Sequence, residues 1–206
     1  GTQTSALIYG GTTIPTRRGE TESWNGTNWT EEADLSTARD GGAGFNNTNN
    51  SNAVYAGGHN GTTKVATTEE WTGAGQPVGA WATGGSLNTA RQQLVSSVYG
   101  TPSASIAAGG YTTTALVVTE SYDGTSWTEV NDLNTARRLA AGAGTSTSAL
   151  AFGGGPPAIA NNETWNGTNW TEVNDLNTAR LSLAGAGASN TAALAFGGYT
   201  STKLAV

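Results

Sequence analysis

The sequence contains no cysteine and only one histidine, His59. The lack of cysteine excludes disulfides, thiolate metal ligands and cysteine nucleophiles. A single histidine argues against a Ser-His-Asp triad, and zinc or copper sites need several nitrogen or sulfur ligands. We therefore predict a non-enzymatic chain without a metal site or another cofactor.

Basic residues are also few: the chain carries a net charge of −6, and its arginines mostly recur one per repeat rather than in a patch. This distribution argues against nucleic-acid binding, which needs clustered basic residues. No apolar run approaches the roughly 18 residues of a membrane-spanning helix. The first residues show neither a signal peptide nor an initiating methionine, which predicts a chain processed or excised from a longer one.

Glycine is abundant, with 30 residues, and seven tryptophans and six tyrosines supply large apolar side chains. Together with many Thr, Asn and Ser residues, this composition predicts short strands joined by tight turns. A length of 206 residues suits one all-β domain with its own core.

A Gly-Gly doublet closes a short apolar run five times, at intervals of 44 to 52 residues, and begins at Gly10, Gly57, Gly109, Gly153 and Gly197. Such a period fits one four-stranded blade of a β-propeller. A glutamate two residues before an aromatic residue then recurs at Glu22, Glu69, Glu120 and Glu163. A turn, often Asn-Gly or Asp-Gly, separates this aromatic residue from the next tryptophan, as between Trp24 and Trp29.

Each repeat continues with an arginine, at Arg39, Arg91, Arg137 and Arg180, followed by a run of small residues. This order resembles the kelch family over nearly the whole chain. The near-identical Trp-Asn-Gly-Thr-Asn-Trp segments also resemble kelch-type repeats in proteins of marine bacteriophages and bacteria. The resemblance implies a β-propeller of four-stranded antiparallel blades, with the small-residue strand innermost and the Trp hairpin outermost. The copper oxidases of this propeller type use Tyr, His and Cys ligands, which this chain cannot reproduce.

We predict a single domain over residues 1–206, with units 1–40, 41–91, 92–137, 138–180 and 181–206. Five blades are favoured over four, because all five Gly-Gly strands can pair. The first unit lacks a small-residue strand and the last lacks a Trp hairpin, so a second copy or an adjoining chain is expected to complete them.

The recurring residues have a structural interpretation. The arginines and glutamates are predicted to form ion pairs that lock the blades, and the tryptophans to pack between them. The latter group is Trp24, Trp29, Trp71, Trp127, Trp165 and Trp170. The alternatives are glycosidase carboxylates for the glutamates and sugar stacking for the tryptophans.

Binding residues are predicted where the repeats diverge, because a repeat scaffold carries its ligand on irregular loops. These residues are Phe45, Asn47, Asn50, His59, Lys64, Gln76, Tyr99 and Pro156. The predicted function is a non-catalytic scaffold of a virion, such as a tail, or of a secreted surface protein, which binds a protein or a glycan. A lectin with sugar sites between blades is the alternative, and a glycan-cleaving enzyme is third.

Overall fold

The computed structural model describes residues 2–46, 50–73, 79–96 and 100–200. Within these ranges the chain forms seventeen strands and no helix, which confirms the all-β prediction. A helix able to cross a membrane is accordingly absent from the described ranges. The strands pair antiparallel in five small sheets, numbered here in chain order.

Three of the sheets have four strands each. Sheet 2 contains β4 (Ala43–Asn46), β5 (Asn52–Ala56), β6 (Thr68–Thr72) and β7 (Ala80–Gly84). Sheet 3 contains β8 (Val95–Ser96), β9 (Ser105–Ala108), β10 (Thr119–Tyr122) and β11 (Trp127–Val130). Sheet 4 contains β12 (Ala141–Thr145), β13 (Ser148–Phe152), β14 (Asn162–Trp165) and β15 (Trp170–Val173).

The sheets at the two ends of the chain are smaller in the described residues. Sheet 1 contains β1 (Ala6–Thr13), β2 (Thr16–Trp24) and β3 (Trp29–Glu31), and it has no small-residue strand beside β1. Sheet 5 contains β16 (Ala184–Ser189) and β17 (Ala192–Phe196), and it has no Glu or Trp strand beside β17.

Neighbouring strands in each sheet are consecutive in the chain, so each repeat folds locally. The register places every recurring glutamate opposite the same position of its Gly-Gly strand. These pairs are Glu22 with Ile8, Glu69 with Tyr55, Glu120 with Ala107 and Glu163 with Ala151. Because the side-chain period of a strand is two residues, all four glutamates lie on the equivalent face of their sheets.

The core consists of four apolar clusters, each shared by two successive sheets. Leu7 of sheet 1 packs with Trp71 of sheet 2, and Val54 of sheet 2 with Trp127 of sheet 3. The next two clusters join sheet 3 to sheet 4 and sheet 4 to sheet 5. The clusters therefore order the sheets in one row, and no cluster of described residues joins sheet 1 to sheet 5.

The Gly-Gly doublets connect each sheet to the following repeat. In sheet 3, Gly109 has a positive φ of 60°, and the Gly110 N–H donates to the Arg137 carbonyl at 2.9 Å. A Cβ on Gly109 would lie 2.6 Å from that same carbonyl oxygen. Glycine is therefore required both by the left-handed conformation and by the close approach of the backbone.

We expect Gly109→Ala to destabilise the chain more than Gly197→Ala does. Gly197 has almost the same φ, 66°, but no atom of the described residues lies within 4 Å of its Cβ position. The left-handed conformation alone costs about 1–2 kcal/mol for alanine, and the added steric conflict at Gly109 costs about 1–3 kcal/mol more. Urea unfolding of both variants measures the difference, and equal losses would show that the contact with the Arg137 carbonyl imposes no cost.

Candidate functional site

Three of the recurring arginines form buried ion pairs with glutamates. Arg39 Nη1 lies 2.7 Å from Glu69 Oε1 and Arg137 Nη2 lies 2.5 Å from Glu163 Oε1, while Arg91 pairs with Glu120 in the same way. All six side chains are almost completely removed from solvent. Each pair ties the segment before a sheet to the third strand of that sheet.

Each of these glutamates also accepts a backbone N–H, and two of them accept a side-chain amide as well. The second carboxylate oxygen of Glu163 accepts from the N–H and the side-chain amide of Asn134, and Asn88 does the same for Glu120. Burial lowers the pKa of Arg137, and the charge of Glu163 opposes that shift. Each of these three carboxylates is buried in a different sheet and accepts hydrogen bonds from the protein framework.

The remaining two members of the series, Glu22 and Arg180, form no ion pair with any described residue. Glu22 is half-buried in β2. Arg180 donates through Nη1 to the Gly197 carbonyl at 3.2 Å, but its buried Nε has no partner among the described residues.

The tryptophans divide by position. Trp71, Trp127, Trp165 and Trp170 are buried between sheets, so a sugar cannot reach their faces. Trp127 and Trp170 donate through Nε1 to a threonine of the preceding sheet, Thr68 and Thr119. In sheet 1, Trp24 is half-buried and bonded to the Gln3 carbonyl, whereas Trp29 is 46% exposed. Trp81 of sheet 2 is half-buried and donates through Nε1 to Thr21, so Trp29 is the one exposed tryptophan of the described residues.

Two of the predicted loop residues belong to the framework instead. Phe45 lies in β4 and is fully buried, because its ring fills the cluster between sheets 2 and 3; its assignment to a binding loop is wrong. Asn50 bonds to Ser5 and accepts from Trp71 Nε1, at the end of β5 opposite to His59. Asn47, Gln76 and Tyr99 lie outside the described residues.

The structure brings His59 and Lys64 together with two further residues, Tyr111 and Arg138. The guanidinium carbon of Arg138 lies 4.0 Å from the centre of the Tyr111 ring, and Lys64 Nζ lies 5.2 Å from it. His59 pairs with Lys64 through a backbone bridge and accepts the Gly61 N–H at Nδ1. We name these four half-buried residues the Tyr111 patch.

The Tyr111 patch is positioned by the framework. His59 and Tyr111 each follow a Gly-Gly doublet and form a backbone bridge with the residue after a locked arginine, Asp40 and Gln92 respectively. Arg138 directly follows Arg137, and its carbonyl accepts the Gly155 N–H beside the exposed turn at Pro156. Three successive repeats therefore contribute to one surface at fixed distances.

Tyr111 and Arg138 were not among the predicted binding residues, although the sequence contains a signal for them. The residue after the doublet varies among the repeats: Thr12, His59, Tyr111, Gly155 and Tyr199. The residue after the arginine varies likewise, and only one repeat has a second cation there, Arg138. Variation at these two repeat positions, directly after the doublet and directly after the arginine, indicates the patch. Each position lies next to a residue that the framework holds in place.

The Tyr111 patch combines two cations with an aromatic ring. No group of three or more His, Asp or Glu side chains in the described ranges is placed to hold a metal ion. Comparison with protein-family models found no match for the chain, and comparison with curated proteins found no similar sequence.

Proposed function

We propose that this chain is a non-catalytic binding scaffold, in which the five sheets are blades of a kelch-like propeller and the Tyr111 patch contacts the ligand. Buried ion pairs and inter-sheet tryptophans support the scaffold role, because they hold successive repeats in fixed relative positions. The ligand proposal rests on one observation: Lys64 and Arg138 both contact the ring of Tyr111.

A carboxylate-bearing partner fits this patch best. Arg138 and Lys64 carry charged N–H donors, and carboxylate oxygens accept hydrogen bonds from such donors. Contact with the Tyr111 ring limits the motion of both side chains before binding. Reduced motion lowers the entropic cost of binding. The chain is acidic as a whole, so a local pair of cations also selects the orientation in which an anionic glycan or protein approaches.

We expect Arg138→Ala to weaken binding of a carboxylate-rich probe by about 10-fold or more, since one charge-assisted contact is worth about 1.5–3 kcal/mol. Suitable probes are an oligogalacturonate and a polyglutamate peptide, with a neutral oligosaccharide as reference, in titrations at low and high salt. Tighter binding of the oligogalacturonate would indicate a glycan partner, and tighter binding of the polyglutamate peptide a protein partner.

Arg18→Ala is the matched control, because it removes the same charge from an exposed arginine of sheet 1. If neither carboxylate probe binds, or if Arg18→Ala weakens binding as much as Arg138→Ala, the proposed ligand chemistry is wrong.

A lectin that binds neutral sugars is the second candidate, and the exposure of Trp29 favours it. Its ring and that of Trp24 lie 5.4 Å apart in sheet 1, where a sugar could contact them. Binding of the neutral oligosaccharide that is lost in Trp29→Ala, but retained in Arg138→Ala, would support this candidate.

A further inference from the structure

Among the described residues, sheet 1 leaves open the face that the internal sheets cover, and the two strands of sheet 5 cover the corresponding face of sheet 4 only in part. On sheet 1, Ile8 is 51% exposed, and together with Glu20 and Glu22 it lines an open cavity of about 490 Å³. We name Ile8, Glu22 and Trp29 the head surface. Their equivalents in sheet 4, Ala151, Glu163 and Trp170, are all buried against sheet 3 or its connecting segment.

A complementary surface lies at the other end of the row. Leu150, Phe152, Asn162 and Leu176 line a groove of about 160 Å³ together with three residues of β17, Ala193, Leu194 and Ala195. Phe152 is 1% exposed and forms the buried floor of this groove. The side-chain oxygen of Asn162 is buried and accepts no hydrogen bond from any described residue. Leu150, Phe152, Asn162, Leu176 and Arg180 are named the tail surface.

The interface between sheets 3 and 4 shows what such a groove holds. There Trp170 packs in a cluster with Ile106, Ala108 and Leu133, and its Nε1–H donates to Thr119 Oγ1 at 3.1 Å. By repeat position these residues correspond to Leu150, Phe152, Leu176 and Asn162 of the tail surface. The groove thus has the lining of a tryptophan site, including an unused acceptor, and the exposed Trp29 is the equivalent tryptophan.

The charges match in the same way. In each internal repeat an arginine reaches the glutamate of the sheet that follows it. Arg180 precedes β16 and has no carboxylate partner in the described residues, whereas Glu22 on β2 has no arginine partner there. A sheet formed by β16 with β1, β2 and β3 would bring these two side chains together at the internal spacing.

We propose that the head surface of one copy of this chain binds the tail surface of a second copy. In the joint sheet, β1 occupies the position of β17 on β16, Trp29 enters the groove toward Asn162, and Arg180 pairs with Glu22. The strand β17 is the one replaced, because among the described strands it pairs with β16 alone, and it leaves Leu194 71% exposed. Sheets 1 and 5 share no apolar cluster in the described residues. The contact is therefore assigned to two separate copies, and closure within one copy is the outcome that a constant monomeric mass would show.

The contact is heterologous, because it joins two different surfaces. An open assembly therefore keeps one free head surface and one free tail surface until a ring closes. The mass of the wild-type chain should therefore rise with concentration in sedimentation or mass photometry. Glu22→Arg and Arg180→Glu should each weaken association by at least about 30-fold, the lower range for disrupting a buried charge pair. An equimolar mixture of the two variants should associate again, because the Glu22 head of one meets the Arg180 tail of the other.

Glu129→Arg is the control, because it makes the same charge reversal on an exposed residue of β11 outside both surfaces. Circular dichroism shows whether each variant retains its β-structure. Trp29→Ala tests the apolar part independently and should weaken association without any change in charge. A wild-type mass that stays monomeric at every concentration would overturn the proposal, as would a Glu22→Arg variant that associates like Glu129→Arg.

The outcome is independent of the proposed ligand, because neither surface includes a residue of the Tyr111 patch. Carboxylate binding measured on the Glu22→Arg variant tests that patch in the monomer. If the wild-type chain binds the carboxylate probe but stays monomeric, the head-to-tail proposal fails. If it self-associates but does not bind the probe, the ligand proposal fails.

Discussion

Arg137→Ala is expected to lower the free energy of unfolding by about 3–5 kcal/mol, because it leaves the buried carboxylate of Glu163 without its counter-charge. Removing the guanidinium also removes its hydrogen bond to the Asn161 carbonyl at 2.8 Å and its longer contact with the Gly153 carbonyl at 3.3 Å. The Glu163 carboxylate keeps the amide donors of Asn134, so the loss stays below that of an isolated buried charge. Urea-induced unfolding followed by tryptophan fluorescence measures this change.

The exposed pair of Arg18 and Glu20 provides the matched control, since both side chains are nearly half exposed. Arg18→Ala should change the free energy of unfolding by less than about 1 kcal/mol, because water screens and replaces a surface ion pair. The double variant Arg137→Met, Glu163→Leu should recover much of the loss, since it removes both charges and retains volume. If Arg137→Ala and Arg18→Ala have the same effect, the buried pair is not a stabilising element.

The repeat organisation could be predicted because it depends on local chemistry. Asn25, Asp123 and Asn166 each accept two backbone N–H groups of their own turn through one side-chain oxygen, so these hairpins are specified by four consecutive residues. The same two hydrogen bonds lower the pKa of Asp123. Glycine doublets are equally local, because only glycine accepts their backbone conformation at low cost.

The candidate site could be predicted only in part, because it depends on which repeats become neighbours. His59 and Lys64 were found by divergence within one loop, but Tyr111 and Arg138 belong to two later repeats. Phe45 shows the opposite error: it diverges from the small residues of its column, yet its ring is buried and lies 6.0 Å from the ring of Trp127. Divergence in a repeat can therefore reflect either a ligand or the local volume of the core.

The second large effect is expected at Trp170, where substitution by alanine should cost about 3–5 kcal/mol of unfolding free energy. Trp170 is 7% exposed, packs against Trp165 with ring centres 5.3 Å apart, and fills the space between sheets 3 and 4. Its removal would leave a cavity between two sheets and deprive Thr119 Oγ1 of the indole donor. Both sheets should unfold at lower denaturant concentration, because the apolar cluster that joins them loses one of its two tryptophans, Trp165 and Trp170.

Trp29→Ala makes the same substitution at the equivalent position of sheet 1, where the ring is 46% exposed and Trp24 is its one aromatic contact in the described part of the chain. We expect a loss of about 1 kcal/mol or less for Trp29→Ala, because little apolar area returns to water. Unfolding at protein concentrations below any self-association isolates this intrachain effect. Similar losses for the two variants would mean that the inter-sheet position of Trp170 adds nothing to stability, and that the tryptophans do not hold the sheets together.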